Sequence, residues 1–268
     1  MRSMLWSVRR ELWEHRWVWS VPLLIGAIVV MVFTGVAVMQ LVSFGGAANA
    51  SRLSGMFDLA SRMLLITGTV VAYVYCAEAL HGERRDRAIL FWKTWPVGDG
   101  TAVAAKAMVA MMVVPAMTLA LLIASQIIAT IALSGKGIEL HAPMANPVAA
   151  TLEVIAATLW ISPVYAWIMV VSAWARRAVL LLAFLPMMLL AVLEPIMGRG
   201  STIGHALFRR GVGRHFPTQL NADSVSGGPM SWTPAPELLG SPNLWLGVAL
   251  AVLLLALATK LRRRMMAA

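Results

Sequence analysis

Six apolar runs dominate the chain, and their length leaves few folds open to it. A helix rises about 1.5 Å per residue, so roughly 20 mostly apolar residues cross a hydrocarbon core about 30 Å thick. Runs from about Val18 to Leu41, Arg62 to Leu80, Lys106 to Leu133, Thr151 to Trp174, Ala178 to Leu193 and Leu244 to Leu261 reach or approach that length. They are continuously apolar and do not alternate, which argues against spanning strands. The remaining composition agrees. Of 268 residues, 60% are hydrophobic and 13% charged, and mean hydropathy is +0.77, whereas about a quarter of a soluble domain is charged. The expected fold is an all-α membrane protein, a single transmembrane domain over residues 1–268. It has six transmembrane helices, an amphipathic N-terminal interfacial helix over 1–17 and a long external loop, 195–242, before the last helix.

Net charge is +10, but the bases lie in short clusters between apolar runs. That pattern fits membrane orientation and gives no basic face for nucleic acid. Placing both termini in the cytoplasm puts most Lys and Arg on the retained side: Arg2, Arg9, Arg10 and Arg16, then Arg84, Arg85, Arg87, Lys93 and Lys106, then Arg176 and Arg177, then Lys260 and Arg262 to Arg264. No small-residue cleavage site follows the first run, so no removed signal peptide is expected. The lone Cys76 excludes an intrachain disulfide or thiolate cluster, and no two of the five histidines stand at metal-ligand spacing.

Within the spans, Pro115, Pro163 and Pro186 each remove a backbone donor and kink a helix. Such kinks serve as hinges in transporters and also occur in static membrane proteins. Gln126, mid-span in the third run, is a candidate for a pathway contact or a polar contact between helices. Gly68, Ala72 and Cys76 form a small-residue face suited to close packing. The 195–242 loop is rich in Pro and Gly, with Ile203, Ala206, Leu207 and Phe208 as a candidate short interfacial helix. Part of it is expected to dip toward the membrane or pack on its outer face; an unstructured loop is the alternative.

The most informative stretch is residues 81–105. It opens with Glu83-Arg84-Arg85-Asp86-Arg87, continues with apolar and aromatic Ile89, Leu90, Phe91, Trp92 and Trp95, and turns at Pro96-Val-Gly-Asp-Gly100. Aromatic anchors with a charged rim make a protein-docking surface. A positive-inside cluster meeting anionic lipid explains the charges alone, but it does not require the aromatics that follow. Trp6, Trp13, Trp17 and Trp19 read equally as an interfacial belt or as part of a protein contact.

The pattern Glu83-Arg84-Arg85-x-x-Ala-Ile-Leu-Phe-Trp92, then Thr94-Trp-Pro-Val97 and Asp99, then Lys106, resembles the cytoplasmic signature of permease subunits of type-2 ABC exporters. Ala88 stands where Thr is usual and Trp95 where Leu is usual. Arg9-Arg-Glu-Leu-Trp-Glu-His-Arg16, followed by Pro22, is similar to that family's amphipathic N-terminal helix. The resemblance implies a bacterial inner-membrane permease working with two copies of a separate ATPase subunit and with a second permease copy or a paralogue. It implies ATPase docking on Arg9, Arg10, Glu11, Trp13 and Glu14, and on Glu83, Arg84, Arg85, Asp86, Arg87, Ile89, Leu90, Phe91, Trp92, Trp95 and Pro96.

ATP and Mg²⁺ would belong to the partner, with no cofactor on this chain. Its one Gly-Lys pair, Gly135-Lys136, has Thr130 where a P-loop needs its first Gly and Gly137 where it needs Ser or Thr. Neither a catalytic residue nor a metal site is expected. Two other classes stay open: an ABC-like complex for self-protection, sensing or membrane remodelling without net export, and a membrane scaffold with no ATPase.

Overall fold

The computed structural model describes residues 2–43, 48–85, 99–134, 146–175, 177–196, 210 and 235–267. These residues are helical apart from short turns. In chain order the helices are α1 (Arg2–Glu14), α2 (Trp17–Ser43), α3 (Ala48–Arg85), α4 (Asp99–Met108), a π turn (Val109–Val113), α5 (Val114–Ser134), α6 (Pro147–Trp174), α7 (Val179–Ile196), α8 (Ala235–Leu239) and α9 (Pro242–Ala267).

Among the described residues, five stretches are long and apolar enough to cross a membrane: Trp17–Val36, Met56–Gly82, Gly100–Ile131, Pro147–Trp174 and Pro242–Arg264. Val179–Leu189, in the fifth expected run, is a shorter apolar helix. Two boundaries differ from expectation. The second run belongs to a helix of 38 residues that starts at Ala48; Arg62 lies inside it because Asp58, one turn earlier, pairs with its guanidinium at 2.7 Å. The third run begins at Asp99 and carries the π turn before Pro115.

α6 is the central helix and touches α3, α5, α7, α8 and α9. Its span is 72% buried within the chain, against 17% for the span in α2. The outer helices turn Leu24, Met31, Leu246 and Leu253 outward, as helices solvated by lipid do. Without a hydrophobic drive between helices in lipid, close packing of small groups holds the bundle. Gly26 lets α2 approach Leu121, and Gly68 admits the side chain of Thr118. Tyr73 packs edge-on against both Tyr165 and Phe184, at 5.4 Å between ring centroids.

Asn146 caps α6 by accepting from the Val148 amide at 2.9 Å, with Pro147 in the first turn. Pro163 cannot donate to the Leu159 carbonyl, and the Ser162 hydroxyl takes over that acceptor at 2.8 Å. Pro186 lies within α7. Gln126 is buried in α5, its carbonyl accepting from Thr130 at 2.8 Å.

Of the 195–242 loop, Arg210 and α8 are described, together with its edges; the interfacial helix expected at Ile203 to Phe208 lies outside the described residues. The Arg210 guanidinium donates to the carbonyls of Trp160 and Asn243, each at 3.0 Å, and sits 4.6 Å from the centre of the Trp160 ring. It fits against Gly247, where a Cβ would occupy its place. Leu238 of α8 packs with Ala156 and Leu244, so this part of the loop is joined to α6 and α9.

Candidate functional site at the charged end of the bundle

α1 packs on α4 and the π turn, but an ion pair stands at the centre of its inner face. Glu11 is 2% exposed and Lys106, on α4, 1%. The Lys106 Nζ donates to both Glu11 carboxylate oxygens at 2.9 Å. Tyr75 of α3 donates to Oε2 at 3.4 Å, Arg10 Nη2 lies 3.3 Å from Oε1, and His15 Nε2 stands 4.0 Å from Oε2. Three helices therefore meet at one carboxylate.

Burial pushes the Glu11 carboxyl toward a higher pKa. The charge and hydrogen bonds of Lys106, followed by the charges of Arg10 and His15, outweigh burial and leave it below the ordinary value. Glu14 moves the other way, raised by partial burial and by repulsion from Glu11. An ionised pair in this setting is costly to break from one side, because the remaining charge keeps its desolvation penalty.

The outer face of α1 carries Trp6, Arg9 and Trp13 at helical spacing, followed by Arg16 in the turn to α2, all exposed. Trp13 is 64% exposed, and the Arg16 guanidinium lies 5.9 Å over its ring. Of the α1 residues named for docking, Arg9, Trp13 and Glu14 are on the open side, whereas Glu11 points inward to Lys106.

Two residues beyond Lys106 the helix widens. Val114 donates to Val109, five residues back, in place of the usual four. Pro115 follows at once and supplies no amide, so the break in the third span sits directly above the ion pair.

A second joint ties α3 to α6. The Ser172 hydroxyl accepts from the amides of His81 at 3.0 Å and Leu80 at 3.3 Å, and donates to the Ala77 carbonyl at 2.6 Å. It thus bonds three backbone groups within one turn of α3, the Ala77 carbonyl and the Leu80 and His81 amides. His81 Nδ1 lies 3.2 Å from the Ala175 carbonyl, just past the end of α6. The chain then turns into α7 through Ala178, at φ 50°.

Glu83, Arg84 and Arg85 form the last turn of α3. Asp86, Arg87, Ile89, Leu90, Phe91, Trp92, Trp95 and Pro96 lie outside the described residues. The described ends nevertheless bracket the segment: it leaves α3 beside the Ser172 joint and returns into α4 ahead of the Lys106 joint. Sequence reasoning missed both joints. A lone lysine among alanines, Ala104-Ala105-Lys106-Ala107, was one available signal, but nothing local marked Ser172. Among the described residues no group of three or more His, Cys, Asp or Glu could hold a metal.

No protein-family model matches the chain, and no curated protein matches it.

Proposed function

We propose that the chain is the transmembrane permease subunit of an ATP-driven ABC transporter of the exporter type. In this reading α7 provides the sixth crossing: its 18 residues extend about 27 Å, close to the thickness of a hydrocarbon core. Both termini face the cytoplasm of a bacterial inner membrane, so the charged end, with its clustered bases, lies inside. Two copies of a separate ATPase, carrying ATP and Mg²⁺, dock on residues 81–105 and on the outer face of α1, and a second permease copy or a paralogue completes the pathway.

The observation that carries this reading is the bracketing of residues 86–98 by two buried polar joints. A displacement of the segment acts on α6 through Ser172 and on α1 through Lys106 and Glu11. It arrives just before the π turn, where the third span is least regular. A loop that served only as a connector would have no use for such attachments at both ends.

Affinity purification from the native membrane tests the proposal. The unaltered chain is expected to bring down a soluble ATPase subunit, while Phe91, Trp92 and Trp95 changed together to Ala yield an inserted protein without it. Recovery of the ATPase by that variant would refute the docking assignment. Purification of the unaltered chain with no ATPase would favour a scaffold.

A further inference from the structure

Near the middle of the bundle, α3, α5 and α6 form a half-open pocket of about 20 Å³, walled by Gly68, Thr69, Pro115, Thr118, Thr158 and Tyr165 together with five apolar residues. All three threonines lie well inside their spans. Each donates its hydroxyl proton to the carbonyl one turn back on its own helix: Thr69 to Leu65 at 2.9 Å, Thr118 to Val114 at 3.0 Å and Thr158 to Val154 at 2.7 Å. The oxygens therefore have only lone pairs to offer to a guest. The Tyr165 hydroxyl also lines the pocket and brings a donor to it. The wall presents hydroxyl oxygens from three helices, and no carboxylate is among its residues.

We infer that this pocket is a binding site for a single water molecule, held by threonine oxygens on α5 and α6 and by the Tyr165 hydroxyl. The volume suits it, since a water needs roughly 10–15 Å³ of such space and two to four polar partners. A water can donate to two threonine oxygens and accept from the tyrosine. A bare cation would exchange its hydration shell for a few neutral oxygens in a low-dielectric interior with no counter-charge, a poor exchange. Gly68 keeps the site open, because a Cβ there would collide with the Thr118 hydroxyl. The site adjoins Pro115 and places a mobile, hydrogen-bonding filler beside the broken turn of the third span. It stands independently of the transport reading.

Radiolytic hydroxyl labelling of the purified full-length chain in ¹⁸O-water tests this, since hydroxyl radicals form where a bound water sits. Tyr165, buried in the bundle, is expected to take up label in the unaltered protein, to lose it in Thr118→Val and Gly68→Ala, and to keep it in Thr158→Ser, which retains the oxygen. Absence of label on Tyr165 in the unaltered protein would overturn the inference. So would label that persists in both Thr118→Val and Gly68→Ala, or label that falls when Na⁺ replaces a bulky cation at constant ionic strength, which would identify a metal ion instead. If Thr118→Val does not fold, the contrast between Gly68→Ala and Thr158→Ser carries the test.

Discussion

Lys106 and Glu11, separated by 95 positions in the chain, meet through two hydrogen bonds of 2.9 Å with both side chains almost wholly enclosed. The contact fixes the N-terminal helix to the start of the third span. It gives α1 a defined rotation about its axis, with Trp6, Arg9 and Trp13 outward.

One-sided removal of this pair is expected to be severe. Lys106→Met leaves a buried carboxylate without its main partner and should destabilise the folded protein by about 3–5 kcal/mol, while Lys106→Met combined with Glu11→Leu should recover most of that loss. Thermal unfolding of the two single variants and the double variant in one detergent checks this. Additive losses would mean that the two side chains do not interact.

The pair also sets the acid limb of stability. Because the folded Glu11 carboxyl lies below its ordinary value of 4.5, its contribution is complete above that value and is lost as pH falls through the depressed folded value. The raised Glu14 has the opposite sign: its folded form favours the proton, so acidification through its folded value relieves a strain between two carboxylates. Melting temperature followed from neutral pH downward is expected to fall steeply only below about 4.5, and Glu11→Gln should remove most of that fall.

Ser172 is expected to act on geometry more than on stability. In Ser172→Ala the contacts to Ala77, Leu80 and His81 are lost while those groups keep their places in a helix, so the cost should stay near about 1 kcal/mol. The last turns of α3 should then shift relative to α6. Spin labels at Arg84→Cys and Arg177→Cys, in a Cys76→Ser background, are expected to show a moved or broadened distance distribution when Ser172 is changed. An unchanged distribution would mean that the joint does not hold α3.

At the opposite end, Gly247 and Arg210 form a testable couple. Gly247→Ala forces the guanidinium from its place between α6 and α9 and should cost about 1–3 kcal/mol, as overpacking does. In an Arg210→Ala background the same change should be nearly neutral. Equal costs in the two backgrounds would show that Arg210 does not occupy that slot.

Much of the architecture was legible because spanning segments obey a length rule. The apolar runs around Val18, Lys106, Thr151 and Leu244 needed only a count of residues against bilayer thickness. The helical extent of α3 was less legible: Arg62 marks the edge of the apolar run, but an arginine paired with Asp58 one turn earlier is at home inside a helix that begins at Ala48. The pairing of Glu11 was less legible still. Read along α1, it is one more charge in a polar strip. Its burial depends on which face meets α4, a matter of rotation that local sequence leaves open.

By itself, the sequence determined that this chain dissolves in lipid as helices, where those helices lie and which ends carry positive charge, because transfer from water to hydrocarbon is governed by composition over about 20 residues. Tertiary structure alone decided that Glu11 would face Lys106, that Ser172 would bond to the backbone of α3 and that three threonines would share one pocket. Each of these needs distant residues brought within about 3 Å, a distance set by helix packing and not by neighbours in the chain.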